Sequence, residues 1–424
     1  KNCKSGTFKL QKTYVAGHVT FTSCKNKKIR VTPLVINASR ALVKGLNLSS
    51  VHASKINLNH TFVDGNLNFK RNRNFEKVEA TDFKAVGINV SGKTYFKDCK
   101  LDKLNLRDAR LAKDLDLDCV DTTEINLSRA IVSGNAFVTG CVVKGDFKAH
   151  DTTFSKDLKF RGKISGDNQE PQQNIFSGQV DLSESKIGEL LISKTFFSVP
   201  DGCALCLDKA DIEGWCRIKD SKINGSLSAQ SLECRRSLDL SEASLGTPLH
   251  NQTDDYIALN LSGVQVKRGL SMPRTYVNGG IDLSLASCDI LDDAQSGWMC
   301  CNDQNQSNSS NNSHNVNLHG FQYRLFADAS AYDAASSKDS VFTVRKSWLK
   351  RSPDKVDCFN PQPWRQAASV LNSMGYEQVS RKLSIERRTQ ERKAKNASLM
   401  TKVQGWFLYW LAEYGFNPWK TLAW

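Results

Sequence analysis

The chain has no run of about 20 consecutive apolar residues, so nothing within it is long enough to cross a bilayer as a helix. It also lacks the local signatures of common chemistries. Its seven histidines, His18, His52, His60, His150, His250, His314 and His319, contain no His-x-x-x-His pair, which excludes a zinc-protease helix. There is no Gly-x-Ser-x-Gly elbow, no Walker loop, no Gly-x-Gly-x-x-Gly fingerprint and no haem-type CxxCH. We therefore nominate no catalytic residue, no metal ligand and no cofactor. Acidic residues are missing from positions 1–34, which carry eight Lys and Arg. Positions 338–424 hold sixteen basic residues against seven acidic ones, so the formal net charge of +14 is concentrated at the two ends. A nucleic-acid groove would spread its charge along the body, whereas charge at the ends suits basic caps or membrane-adjacent segments.

What is present is a folded, soluble composition, 40% hydrophobic and 24% charged, with a mean hydropathy of -0.43. At 424 residues the chain is too long for one ordinary core, which points to several domains or one repeat array. Thirteen cysteines are scattered and odd in number, the pattern of reduced thiols rather than of a disulfide framework. Asn-x-Ser/Thr triplets at Asn37, Asn47 and Asn396 are those expected by chance in a chain rich in Asn and Ser.

A repeat organises the chain. An apolar residue is followed three positions later by a small one and two further on by another apolar one. Phe96/Cys99/Leu101, Leu106/Ala109/Leu111, Leu127/Ala130/Val132 and Val138/Cys141/Val143 fit this register. So do Leu182/Ser185/Ile187, Leu207/Ala210/Ile212, Ile218/Ser221/Ile223, Leu240/Ala243/Leu245, Leu261/Val264/Val266 and Leu285/Cys288/Ile290. Copies are often about ten or eleven residues apart, too short for helix-pair repeats, and glycines such as Gly134, Gly188 and Gly214 close many units. The spacing predicts short strands turning corners, two units to a coil of about 21 residues, and about fourteen coils over residues 35–330 in a rod about 65 Å long. Cysteines in the small slot are then low-volume core residues. Cys203-Ala-Leu-Cys206 has CxxC spacing, but Leu205 and Leu207 read as strand residues and no second CxxC follows, so structural thiols are expected. The alternating Asp114, Asp116 and Asp118 read as an outer face with Leu115 and Leu117 inward rather than as a carbohydrate-active acid row.

These units, with segments such as Val180-Asp-Leu-Ser-Glu-Ser-Lys-Ile-Gly188 and Asn317-Leu-His-Gly-Phe-Gln-Tyr323, resemble degenerate pentapeptide repeats. The resemblance extends to bacterial pentapeptide-like repeat proteins with a C-terminal helical hairpin and a juxtamembrane segment, often called membrane-associated oxidoreductases. It implies a mainly β fold, a right-handed quadrilateral β-helix solenoid, over most of residues 40–424. No redox motif accompanies the name, so the architecture is carried over and the activity is not.

The expected organisation is a basic cap segment 1–34, a β-helix 35–330 with a mobile Asn/Ser-rich loop 302–315, a connector 331–360 anchored by Trp348 and Leu349, an αα-hairpin 361–397 and an amphipathic aromatic segment 398–424. Vicinal Cys300 and Cys301 beside the loop are read as incidental. Trp364, Ala367, Ala368, Leu371 and Met374 share a helical face, Gly375 ends it, and Val379 and Leu383 begin a second helix that caps the rod. Arg387, Arg388, Arg392, Lys393 and Lys395 form a basic run suited to anionic lipid. Trp406, Phe407, Tyr409, Trp410, Tyr414, Phe416, Trp419 and Trp424 follow it as candidate membrane-interface residues.

The leading expectation is a non-enzymatic scaffold on the cytoplasmic face of a bacterial inner membrane, binding an anionic membrane surface and either a protein partner or its own copies. Nucleic acid is a lesser alternative partner. Two rival functions stay open: a sensor or regulatory domain of a channel-like effector whose transmembrane part follows Trp424, and an enzyme, redox or carbohydrate-active.

Overall fold

A computed structural model of the chain describes residues 7–22, 34–49, 51–71, 78–163, 172–247, 256–293, 315–327, 339–351 and 359–394, with Met400, Val403 and Trp406. Among them the protein is mainly β, with short strands paired in parallel and three helices at the C-terminal end. The pairing has one repeating logic. Tyr14 pairs with Leu42, Leu42 with Phe62 and Phe62 with Asn89, and the column continues through Arg110, Ile131, Thr153, Lys186, Asp211, Glu233, Gln265 and Ser287 to Gln322. A second column in the same sheet runs from Leu46 through Leu67, Thr94, Leu115, Ala136, Leu158, Leu190, Cys216, Leu238 and Leu270 to Leu291. The other sheet holds two more, one from Ile36 through Ile56, Phe83 and Leu104 to Val316, the other from Lys100 through Asp121 and Val142 to Tyr276. At about 4.8 Å per step, the column from Tyr14 to Gln322 is about 58 Å long.

Inside, side chains of the same kind stack rung on rung. Leu115 and Leu117 are buried between half-buried Asp116 and Asp118, the alternation the sequence predicts. Two aromatic clusters lie within the stack: the rings of Phe69, Phe83 and Phe96 are 5.2–5.9 Å apart, and that of Phe160 lies 5.6 Å from Phe147 and 5.7 Å from Phe176. Each buried Leu or Phe contributes about 1.5–3 kcal/mol by leaving water.

The small residue of the repeat has a specific job. In Asn105-Leu-Arg-Asp-Ala109, Asp108 has φ of 58°, and the N–H of Ala109 donates to the carbonyl of Leu106 at 3.1 Å. The Asn105 side chain accepts the Arg107 N–H at 3.1 Å and holds the turn open for the left-handed residue. The same corner recurs in the segments beginning at Asn126, Asp181, Asn260 and Asp282. Where the small residue is Thr152 or Ser185, its buried hydroxyl donates to the preceding rung at Leu127 and Ala149, 2.9 and 2.6 Å away.

Three features differ from the sequence expectation. The rungs begin earlier, because Thr7–Lys9 and Tyr14–Thr22 of the expected cap pair in parallel with the strands Leu34–Asn37 and Leu42–Ser49. The unit read as Leu285/Cys288/Ile290 is Leu283/Ala286/Cys288 instead: Leu285 takes the left-handed corner with φ of 56° and is 67% exposed, and Cys288 faces inward between Val266 and Tyr323. Leu283 and Leu285 both satisfy an apolar pattern, and only the Asx residue at Asp282 marks the correct phase. The connector contains a helix, described below. Loop 302–315, apart from Asn315, and the Cys300–Cys301 pair lie outside the described residues.

Candidate functional site

The nominated site is C-terminal, and it is built on the helices that close the stack. Helix α1, Asp339–Lys350, buries Val341, Trp348 and Leu349. Its Arg345, 1% exposed, forms a two-pronged ion pair with buried Asp293, with one arm at 2.9 Å, and its guanidinium lies 3.8 Å over the Phe326 ring. The Trp348 ring packs 6.2 Å from Tyr323. Helix α2, Gln362–Ser373, buries Pro363, Trp364, Ala367, Ala368, Val370 and Leu371. It also completes backbone groups of the last rung: Gly320 N–H donates to Gln362 Oε1 at 3.0 Å, and the Gln366 amide donates to the Tyr323 carbonyl at 2.6 Å. An open strand edge is thereby covered by side-chain amides.

Gly375, with φ of 86°, ends α2 in a Schellman turn in which Gly375 N–H reaches Asn372 and Tyr376 N–H reaches Leu371. Helix α3, Glu377–Lys393, then packs back through Val379 and Leu383, with Ser380 donating to Ala368 at 2.8 Å. Glu386 ties it to α1 through Lys346 at 3.0 Å and Lys350 at 3.5 Å. Burial works against the Glu386 carboxylate, but the Gln390 hydrogen bond and the two lysines outweigh it and hold the carboxyl below its ordinary value. Arg387, Arg388 and Arg392 are half-buried and Lys393 is exposed. Burial and the neighbouring Arg365 lower the Arg387 guanidinium from its ordinary value. Beyond α3, Met400, Val403 and Trp406 are helical at three-residue spacing and 79%, 68% and 60% exposed. Lys395, Phe407, Tyr409, Trp410, Tyr414, Phe416, Trp419 and Trp424 lie outside the described residues.

The body offers a second surface that the sequence reading missed. Tyr14, Leu42 and Phe62 are neighbours in one column and are all exposed, and two residues before each stands Lys12, Arg40 or His60 at the left-handed corner. Pairing registers, which the repeat phase supplies, are the signal that finds this strip. Two members of the acidic row are held in ion pairs: Asp118 meets Lys97 at 3.2 Å and Lys163 at 2.8 Å, and Asp114 meets Lys93 at 3.1 Å.

Cys99, Cys119, Cys141, Cys203, Cys206, Cys216, Cys234 and Cys288 are free thiols. Cys99 and Cys141 fill small corner slots, and burial pushes the Cys141 thiol up to about 12. Among the described residues no three His, Cys, Asp or Glu converge as a metal site, and no helix is long and apolar enough to cross a membrane. No family model, curated protein or solved structure matches the chain.

Proposed function

We propose that the protein is a right-handed quadrilateral β-helix solenoid that acts as a non-enzymatic scaffold on an anionic membrane surface, held there by α3 and the aromatic segment that follows it. The observation that carries this reading is the exposure of Met400, Val403 and Trp406 on one helical stripe directly after a basic helix. Each lysine or arginine near an anionic leaflet adds about 1 kcal/mol, and the apolar stripe adds its transfer out of water. The cytoplasmic face of an inner membrane supplies such a leaflet. The strip of Tyr14, Leu42 and Phe62 beside Lys12 and Arg40 is the face we assign to a protein partner with an acidic rim around an apolar centre. The same basic rim would repel a second copy docking on this strip.

Brominated lipid tests the orientation. Vesicles carrying an anionic headgroup and brominated acyl chains should quench fluorescence from tryptophans at positions 406–424 while leaving that of buried Trp348 and Trp364 unchanged. Equal fluorescence with brominated and plain lipid would overturn the proposal.

A further inference from the structure

In a regular strand, residues three apart point to opposite faces and lie about 10 Å apart, so a CxxC there keeps its sulfurs separated. The strand Thr195–Cys206 is not regular where it carries Cys203-Ala-Leu-Cys206. Cys203 pairs with Ser226, Leu205 with Leu227 and Cys206 with Ser228, leaving Ala204 as an extra residue against the strand Lys222–Ser228. A bulge of this kind shifts the phase of the side chains by one. Ser226 and Ser228 flank buried Leu227 on the outer face, so their partners Cys203 and Cys206 share that face. Two steps along the partner strand are about 6.6 Å, within the roughly 4.4–6.8 Å Cα separation usual for disulfides. The Cys203 thiol reaches the Leu205 carbonyl at 3.3 Å. Two sulfurs supply only half of a tetrahedral zinc site, and no third ligand group joins them among the described residues.

We infer that Cys203 and Cys206 form a reversible dithiol–disulfide site that exchanges with low-molecular-weight disulfides. Cys203 is the attacking residue, being half-buried where Cys206 is nearly enclosed. The neighbouring Cys206 thiol lowers the Cys203 thiol from its ordinary value, and the same pairing together with burial raises Cys206. In the exchange the Cys203 thiolate attacks one sulfur of the small disulfide, forming a mixed disulfide and releasing one small thiolate. The Cys206 thiolate then attacks the Cys203 sulfur, closes the protein disulfide and releases the second. The two protons leave on the released thiols, the protein dithiol is oxidised and the reagent is reduced.

Trypsin cleavage after Lys194 and Lys209 yields a peptide, residues 195–209, that contains these two cysteines and no others. The folded full chain, equilibrated in oxidised and reduced glutathione and then alkylated, should show this peptide changing from doubly alkylated to an unalkylated form about 2 Da lighter than its free dithiol as the oxidised share rises. Cys206→Ser should trap the glutathione adduct on Cys203, whereas Cys203→Ser should leave Cys206 largely unreacted. Two independently alkylated thiols at every glutathione ratio, or adducts that never resolve to an internal disulfide in the unaltered chain, would overturn the inference.

Discussion

Removing the carboxylate of Asp293 should unfasten the C-terminal helices from the β body. Arg345 and Asp293 are 1% and 5% exposed, and their paired charges join α1 to the rungs that end near residue 326. Asp293→Ala takes the two-pronged carboxylate partner from a buried guanidinium, and breaking a buried pair in this way costs about 3–5 kcal/mol in proteins generally. The contact with the Phe326 ring survives, and a desolvated cation over an aromatic face is worth about 2 kcal/mol, so the lower end of that range applies. A loss of about 3 kcal/mol speeds amide exchange through the affected opening by more than about a hundredfold. Hydrogen exchange read by mass spectrometry should show this acceleration in peptides covering 339–351 and 359–394. Stability in a stacked array is carried by neighbouring units, so rungs between Asn89 and Thr153 should exchange as before. A control pair, Arg345→Met with Asp293→Leu, replaces both charges with apolar volume and should cost little. Acceleration below about fivefold, or equal acceleration along the whole chain, would refute the assignment of this pair as the clamp.

Other consequences concern the core, the rung spacing and acid. Phe160→Ala removes the ring that packs on both Phe147 and Phe176 and should cost about 3–5 kcal/mol in denaturant unfolding, against an expectation of under 1 if the cluster were loosely packed. Gly178→Ala places a methyl 2.3 Å from the Gly145 backbone carbon, so adjacent rungs must separate; a loss of about 1–3 kcal/mol is expected, and an unchanged unfolding midpoint would contradict the stacking. Glu386 has a lowered folded-state value, so its contribution is complete above the ordinary glutamate value of about 4.3 and is lost as pH falls through the folded value. Exchange in α3 should therefore quicken at low pH after correction for intrinsic rates, and Glu386→Gln should already be fast at neutral pH. Identical pH profiles for the two proteins would exclude this role.

Much of the fold is legible in the sequence because two constraints repeat with every rung. Inward Leu, Val and Phe must stack, and the residue after the left-handed corner must be small, which is why Leu106/Ala109 and Leu127/Ala130 stand out. The phase is less legible from apolar residues alone. Leu285 imitates an inward leucine while occupying an outward corner, and the Asx residue before the true inward position, as at Asn126 or Asp282, is what separates them where one is present. The regular spacing of about 21 residues holds from Asn89 to Thr153 and breaks at some other steps, as between Thr153 and Lys186, where the paired residues are farther apart in sequence and the register shifts between Phe154 and Asp157. Helix α1 was hidden because its buried face is built around an arginine, Arg345, whose partner lies fifty-two positions away. The αα-hairpin was visible because its cap glycine and apolar face are local. The Cys203–Cys206 relation was not, because it depends on a bulge that only the pairing with Lys222–Ser228 reveals.

Vesicle co-flotation of the full chain tests the proposed function most directly. The account predicts flotation with anionic vesicles at low salt, weakening as salt rises, little with neutral vesicles, and loss of binding when Arg387, Arg388, Arg392 and Lys393 are changed to glutamate or when residues 398–424 are removed. A chain that stays at the bottom of the gradient with anionic vesicles at low salt, or that floats equally well after both changes, would contradict it.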